Sequence, residues 1–320
     1  MLTAILHSLS NTLVLLFTGA FGWWLAHMGY IDRERRAFIA KLVNLSIPFF
    51  LFNSVTSRFT HDQLIELLSM GFIPFITMSI NFIAAVTLVK LGLVRAEWRG
   101  TFIACFCSAT VLFVGVPMTM AIFGEQGIPL LLVYFFANCL FVWTVGLYCV
   151  QLDGVHKVHG LRPRIISRQS FHMLFSPPLV AFLIGVAVIL IGVSVPNFIA
   201  GTARTIGQIT SPLALIFIGM TIESMGFEKL KHLPREIWLI LGSCFIFRPV
   251  IVYLTASFFG APREMIQVLV AASALPCTSV IAVLAKTYGA DETFASEAIG
   301  ATTLGLVFVL PVLLVVINLI

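Results

Sequence analysis

Residues 270–288 read VAASALPCTSVIAVLAKTY, and this stretch decides the fold. It is long and apolar enough to cross a membrane, yet Pro276 stands in its middle, with Cys277, Thr278 and Ser279 directly after it. A proline inside a helix removes a backbone donor and clashes with the carbonyl group of the preceding turn. Hydrocarbon has no water to satisfy the freed groups, so such a break persists only where protein or a wet cavity covers it. The stretch therefore predicts either a kinked packing helix or an unwound ligand site.

The composition indicates a membrane protein. Of the 320 residues, 59% are hydrophobic and 10% are charged, and the mean hydropathy is +1.05. Soluble domains carry about 25% charged residues, so we predict an all-α polytopic protein with the lipid bilayer as its surroundings. The net charge of +5 does not indicate nucleic acid as a partner, because the basic residues lie in short loops and report topology instead.

Ten apolar stretches follow one another, each near the length of about 20 residues that a bilayer requires. They cover residues 4–29, 37–57, 67–89, 100–122, 127–150, 173–195, 198–222, 237–259, 264–286 and 294–319. The longest polar stretch, residues 151–172, divides them into two sets of five. We therefore predict two five-helix repeats, residues 1–150 and 173–320, joined by a cytoplasmic loop.

The distribution of Lys and Arg predicts the orientation. These residues concentrate in the loops after odd-numbered spans, whereas only Arg58, Arg204 and Arg263 follow the even-numbered spans, with Arg204 in the first part of the seventh span. The positive-inside rule places the odd-numbered loops in the cytoplasm, so both termini are expected outside it. The second half then starts on the opposite side from the first, and the repeats are expected to be inverted, as in many secondary transporters.

Irregularities at matching positions support the repeat. In the second span of each half an amide side chain stands four residues before a proline, with Asn44 before Pro48 and Gln208 before Pro212. The fourth span, with Gly115 and Pro117, and the ninth, with Pro276, carry the other pair of predicted breaks. We expect all four prolines to break their helices, and we expect the breaks to lie near the membrane midplane.

Half-helix ends at such breaks are suited to an anion. An N-terminal end presents unpaired N–H groups and a partial positive charge. Neutral side chains near the breaks add hydrogen bonds to a ligand or, alternatively, pack neighbouring helices together. The candidate donors are the residues that head the half-helices, Cys277, Thr278, Ser279, Met118 and Thr119, and the polar side chains of Asn44, Thr110, Asn138 and Gln208.

Charges inside the spans are few. Arg248 lies mid-span and is expected to pair either with a substrate carboxylate or with Glu223, because an isolated charge in a membrane is costly. All four aspartates fall in loops or at span ends, which argues against cation antiport through a buried carboxylate. Coupling to a proton or to sodium stays open, since backbone carbonyls at breaks can coordinate an ion. No metal or cofactor site is predicted.

Five motifs in order resemble those of the auxin efflux carrier family, which includes bacterial malate and malonate permeases. They are GYIDRERRAFIAKLVNLSIPFFLF, FVGVP, ANCLFVWTVG, SPLALIFIGMTIE and LPCTSVIAVLAKTYGADETFASEAIGATTLGLVFVLP. The resemblance implies ten helices arranged as in sodium/proton antiporters, with helices 4 and 9 crossing at their breaks, and it implies organic anions as substrates. The short central loop is similar to the bacterial branch, which implies the bacterial inner membrane. One departure is that Thr110, Val111 and Leu112 stand where the family often has Asn-Thr-Gly, which weakens any transfer of auxin specificity.

The leading hypothesis is a secondary transporter for small organic anions, such as malate, malonate or auxin-like acids, working by alternating access. Spans 3–5 and 8–10 are expected to form one moving bundle, and spans 1, 2, 6 and 7 the other. The alternative is a sodium-coupled symporter of the bile-acid type. Motifs of intramembrane enzymes are absent from the sequence, and a channel is disfavoured because matched breaks fit a gated midplane site better. A homodimer is left open.

Overall fold

The computed structural model describes residues 2–58, 60–61, 64–65, 69–155, 163–165, 175–225 and 233–320. Before residue 156 the helices are α1 (Leu2–His27), α2 (Arg33–Arg58), α3 (Ile73–Lys90), α4 (Arg99–Cys107), α5 (Val116–Phe123), α6 (Gly127–Phe141) and α7 (Leu147–Gly154). After it they are α8 (Pro177–Ile191), α9 (Asn197–Gly207), α10 (Thr210–Met225), α11 (Arg235–Gly242), α12 (Arg248–Phe258), α13 (Arg263–Ser273), α14 (Val280–Tyr288) and α15 (Glu292–Leu319).

Single turns of π-helix connect several of these helices. They cover Val111–Gly115 before α5, Val142–Gly146 between α6 and α7, and Ser243–Phe247 between α11 and α12. Such turns are rare and occur often near functional sites.

The helical architecture agrees with a membrane protein. Among the described residues, seven helical stretches are long and apolar enough to cross a membrane, and Pro177–Ile191 is a shorter apolar helix. The predicted ninth span consists of two short helices, α13 and α14, and is not one of the seven. The count of ten spans stays a prediction. Of the predicted connecting loop, residues 156–162 and 166–172 lie outside the described residues.

The chain divides into two compact units. The first comprises residues 1–71, 112–133 and 175–226, and the second comprises residues 72–111, 134–174 and 227–320. Each unit therefore takes segments from both halves of the sequence. The first contains nearly all of the predicted spans 1, 2, 6 and 7 and, in addition, the second part of span 4 and the beginnings of spans 3 and 5. The predicted repeats, residues 1–150 and 173–320, are halves of the sequence and not compact units, and they stay a prediction.

In the first unit, small residues let helices pack closely. Helix α1 packs along α10, and α8, α9 and α10 all pack on α2. A Cβ atom at Gly219 would collide with the backbone of Gly19, and one at Gly22 would collide with the backbone of Ile216. Such close approach of backbones at small residues is typical of helices that pack within a membrane.

In the second unit, α4 is the central helix. All its residues after Arg99 are buried, and it packs against α3, α7, α11, α14 and α15. Its first turn is capped by Asp153, whose carboxylate accepts hydrogen bonds from the N–H groups of Gly100 at 2.8 Å and Thr101 at 2.6 Å. A carboxylate at this end of a helix is favourable because the end carries a partial positive charge.

Of the four predicted breaks, the one at Pro276 lies where the sequence placed it. Helix α13 ends at Ser273 and α14 begins at Val280, so residues 274–279 form the interruption. The prediction for Pro48 was wrong, because α2 runs from Arg33 to Arg58 with the proline inside it. One proline removes a single helix hydrogen bond, and the turns on either side can continue the helix.

The other two breaks lie upstream of their prolines. In the fourth span the interruption covers residues 108–110, not Gly115–Pro117, and in the seventh it covers residues 208–209. Pro117 stands in the first turn of α5 and Pro212 in the first turn of α10. The first turn tolerates proline because its N–H groups have no partner within the helix. Met118 and Thr119 consequently lie within α5 rather than at a free helix end.

Candidate functional site

Two interrupted helices meet in the second unit. Ser108, which ends α4, has extended backbone angles, with φ −82° and ψ 153°, and the interruption that follows lies against the one between α13 and α14. The N–H group of Thr110 donates a hydrogen bond of 2.8 Å to the carbonyl oxygen of Pro276. We call this contact of residues 108–110 with residues 274–279 the crossing.

Asn138 from α6 completes the backbone hydrogen bonds of the first interruption. Its Oδ1 accepts from the N–H group of Ala109 at 2.8 Å, and its Nδ2 donates to the carbonyl oxygen of Ala109 at 2.9 Å. The amide thus satisfies both polar groups of a buried residue that has left the helix. Unpaired backbone groups of this kind are strongly unfavourable in apolar surroundings.

Thr302 from α15 has a comparable role at the second interruption. Its hydroxyl accepts a hydrogen bond of 3.1 Å from the N–H group of Cys277 and donates to the carbonyl oxygen of Ala298 at 2.8 Å. Thr302 is fully buried. The side chain therefore ties the unwound segment to a regular helix.

The guanidinium of Arg248 lies at the C-terminal ends of α4 and α13. Nη1 donates to the carbonyl oxygen of Ser108 at 2.7 Å, and Nη2 donates to that of Leu275 at 2.7 Å. Nη2 also contacts Sγ of Cys244 at 2.6 Å. The residue is completely buried, and no carboxylate among the described residues forms an ion pair with it.

The electrostatics of this arrangement balance without an acidic residue. The C-terminal end of a helix carries a partial charge of roughly −0.5, and two such ends approach one guanidinium. Their sum matches the single positive charge of Arg248. The arginine therefore has its counter-charge within the protein.

Protein donors also occupy carbonyl groups in the last turn of α4, next to the crossing. The hydroxyl of Ser243 donates to the carbonyl oxygen of Phe106 at 3.0 Å, and the thiol of Cys277 donates to that of Cys105 at 3.1 Å. Together with the bonds above, the engaged carbonyls are those of Cys105, Phe106, Ser108, Ala109, Leu275 and Pro276.

At the N-terminal end of α14, by contrast, backbone N–H groups have no acceptor in the described structure. Thr278, Ser279 and Val280 donate no backbone hydrogen bond to another described residue. The side chain of Thr278 is 8% exposed, and its hydroxyl has no hydrogen-bond partner in the described part of the chain. Ser279 is exposed. Unpaired N–H groups and an unpaired hydroxyl thus stand together at the positive end of a helix.

The sequence is similar to that of a known protein family. Residues 7–314 match the protein family described as membrane transport protein. The chain belongs to this family. It is the auxin efflux carrier family, so the resemblance seen in the five sequence motifs is confirmed.

Three relatives align with most or nearly all of this chain. An "Uncharacterized transporter" of Methanothermobacter thermautotrophicus is 27% identical over 303 residues, 93% of this chain and 94% of that protein. A "Putative malonate transporter" of Rhizobium meliloti is 24% identical over 269 residues, 82% of this chain and 81% of that protein. The "Uncharacterized transporter YfdV" of Escherichia coli is 22% identical over 331 residues, 97% of each chain. The family and these relatives are all named for transport.

The structure brings one group of the predicted site residues together in the second unit of the transporter. Asn138, Pro276, Cys277 and Thr278 are buried, Thr110 is half-buried and Ser279 is exposed. Arg248 joins this group through backbone carbonyls. Among the described residues no group of three or more His, Cys, Asp and Glu side chains is placed to hold a metal ion.

The remaining predicted residues lie in the first unit. Asn44 and Gln208 are exposed, whereas Gly115 and Pro117 are buried. Glu223 has Arg36 as its partner, with Oε2 and Nη2 3.3 Å apart. The acid that the sequence offered as a partner for Arg248 therefore pairs with a different arginine.

The sequence analysis did not identify four polar residues that stabilise these helices. Thr302 bonds to the crossing, and Ser243 bonds to the last turn of α4 next to it. In the first unit the hydroxyl of Thr210 donates to that of Ser46 at 2.8 Å, and both residues are buried. The sequence does contain a signal for three of these residues, because the same number of residues separates Ser46 from Thr210, Pro48 from Pro212, and Asn138 from Thr302.

Proposed function

We propose that the protein is a secondary transporter for small organic anions and that a substrate carboxylate binds at the N-terminal end of α14. The observation that carries this proposal is the set of free donors there: the N–H groups of Thr278, Ser279 and Val280 and the hydroxyl of Thr278. A helix N-terminus with unpaired N–H groups is a favourable place for a carboxylate. The half-buried Thr110 lies at the same crossing and offers a further hydroxyl.

The electrostatics support an anion rather than a cation. The negative helix ends at the crossing already face Arg248, and their carbonyl groups are engaged. The positive end of α14 has no such partner in the described residues. A carboxylate bound there would lie against the partial positive charge of that helix end.

The same contacts favour the leading hypothesis over the sodium-coupled alternative. A sodium ion in a broken-helix transporter is coordinated by backbone carbonyls that the break leaves free. Here the carbonyls of Ser108, Ala109, Leu275 and Pro276 all accept hydrogen bonds from the protein. The guanidinium of Arg248 lies where such an ion would find its ligands.

We further propose that the two halves are inverted repeats with ten spans. Asn138 of the first half and Thr302 of the second each hold one interruption, and they are separated by the same interval as Pro48 and Pro212. Residues related by this interval, Ser46 and Thr210, bond to one another, as expected near a pseudo-two-fold axis. The positive-inside rule then supports a plasma-membrane protein with both termini outside the cytoplasm.

The proposed substrates are mono- or dicarboxylates, such as malonate, malate or auxin-like acids. The relative from Rhizobium meliloti, named for malonate, makes malonate the first compound to test. Alternating access is the proposed mode of transport, and the division of the chain into two compact units supports it.

The test is uptake of radiolabelled malonate and a panel of other carboxylates into proteoliposomes. The variant Thr278→Val removes the free hydroxyl and is expected to lower uptake at subsaturating substrate at least several-fold. Thr287→Val is the matched control, because Thr287 lies on the same helix, is exposed, and its hydroxyl bonds only to the carbonyl oxygen of Val283. Equal uptake by the wild type and a well-folded Thr278→Val variant would refute the site. Failure of the wild type to transport any carboxylate would refute the substrate class.

A further inference from the structure

Helix α9 presents three different faces along its length. One face is buried on α2: Ala203 is 3% exposed, and a Cβ atom at Gly207 would collide with the backbone of Phe50. A second face is exposed and mainly apolar, with Phe198 at 74%, Ile209, just beyond the helix end, at 48%, and Thr202 as its polar member. The second face has the character of a surface that contacts lipid.

The third face is polar and exposed, and we call it the polar stripe. At about 100° of rotation per residue, its members fall within an arc of roughly 100° that borders the apolar face and lies about 60° from the buried face. Its members are Asn197, Gly201, Arg204, Thr205 and Gln208, and all are exposed. The stripe runs for about 16 Å along the axis, from the beginning of α9 to the interruption at residues 208–209.

Arg204 is the one charged member of the stripe. The helix belongs to the stretch Asn197–Glu223, which is long and apolar enough to span a membrane, and Arg204 lies about 10 Å along it. Its guanidinium forms no ion pair or hydrogen bond with another residue in the described ranges. A charge at such a position requires water or a counter-ion, so the stripe must be accessible to one of them.

The space beside the arginine is open. A Cβ atom placed on Gly201, one turn before Arg204, meets no other atom within 4 Å. Gln208 lies one turn beyond Arg204 on the same side of the helix. A cationic side chain with five donors therefore stands between an unfilled space and a neutral amide.

We propose that the polar stripe lines an aqueous entry path for the transported carboxylate and that Arg204 binds this anion on its way. This inference rests on the proposed function. An anionic lipid headgroup offers the same chemistry to an arginine, but its acyl chains need apolar surface, and the stripe is polar over its whole length. The apolar face with Phe198 and Ile209 is the surface that suits lipid. A small water-borne carboxylate is therefore the assigned ligand.

The test compares cysteine labelling on two faces of the same helix in reconstituted membranes. Gly201→Cys places a thiol on the polar stripe, and Phe198→Cys places one on the apolar face. The six native cysteines are buried, so their background labelling is expected to be low. Two water-soluble methanethiosulfonates serve as probes, one with a sulfonate group and one with a trimethylammonium group. The expected result is rapid labelling of Gly201→Cys by both reagents and little labelling of Phe198→Cys.

The charge of Arg204 is tested with the same reagents on the Gly201→Cys background. Arg204→Gln is expected to lower the ratio of the anionic to the cationic labelling rate about tenfold, because a unit charge at ~6 Å in water changes each rate about threefold in opposite directions. Arg204→Lys should keep the ratio near the original value. Added malonate should slow labelling in the parent and much less in Arg204→Gln.

Three outcomes would overturn the inference: an unreactive Gly201→Cys, a rate ratio that does not respond to Arg204→Gln, or labelling that changes with the content of anionic lipid and not with malonate. Labelling does not depend on transport, so the two proposals fail separately. If uptake is normal and the stripe is unreactive, only this inference fails. If the labelling pattern holds and no carboxylate is transported, the proposed substrate class fails.

Discussion

The guanidinium of Arg248 donates a 2.7 Å hydrogen bond to the carbonyl oxygen of Ser108, the residue at which α4 leaves the helix. The same side chain reaches Leu275, where the second interrupted helix ends. One cation thus neutralises the negative ends of two helices, and this explains how two helix breaks coexist in an apolar interior. Arg248 supports the crossing, and the candidate anion site uses other groups.

Replacing Arg248 is expected to destabilise the fold. Arg248→Gln removes the charge and leaves buried carbonyls without strong donors, at a cost of about 3 kcal/mol. Arg248→Lys should fall between this variant and the wild type, because an ammonium lacks the planar fork that reaches two carbonyls. Thermal unfolding of the purified protein in detergent measures the effect. Arg35→Gln is the control, since Arg35 is exposed and its pair with Asp32 lies on the surface; equal melting temperatures for Arg248→Gln and this control would contradict the assignment.

Asn138 and Asn81 give a matched pair of buried amides in the second unit. Asn138→Leu should cost about 2–4 kcal/mol, because both backbone groups of Ala109 lose their partner. Asn81→Leu should be neutral or stabilising, since Oδ1 of Asn81 is buried without a partner in the described structure. The free energy of unfolding of both variants, measured under identical conditions, tests this prediction. The prediction fails if Asn81→Leu proves as damaging as Asn138→Leu.

Transport is expected to be independent of a sodium gradient. Four carbonyl groups at the crossing, those of Ser108, Ala109, Leu275 and Pro276, already accept hydrogen bonds from Arg248, Asn138 and Thr110. Malonate uptake into proteoliposomes should therefore have the same initial rate with external sodium as with external potassium at equal ionic strength. A several-fold stimulation by sodium would instead favour the bile-acid type of symporter.

The buried hydroxyl pair in the first unit should behave as a coupled pair. Ser46→Ala and Thr210→Val each remove one partner of the 2.8 Å hydrogen bond. A double-mutant cycle should give a coupling free energy of about 1 kcal/mol. Strictly additive effects of the two substitutions would show that the bond does not contribute to stability.

Of the four predicted breaks, the sequence located the one at Pro276. Pro276, Asn138 and Thr278 became candidates because a proline inside an apolar span, or a polar side chain near one, is conspicuous without any structure. The position of the fourth-span break was wrong because a proline is compatible with the first turn of a helix. Nothing local marks residues 108–110 as unwound; Asn138, which is distant in the sequence, satisfies their backbone.

The sequence by itself determined the membrane class, the family and the location of the principal break, because hydrocarbon permits only helices in long apolar spans and penalises a proline within them. The tertiary structure alone decided the partners. Arg248 could have faced a substrate or Glu223, and it instead neutralises the C-terminal ends of two helices. Hydrogen bonds and helix-end charges act between segments that are distant in sequence, so only the packed helices show that the N–H groups at the positive end of α14 have no partner among the described residues.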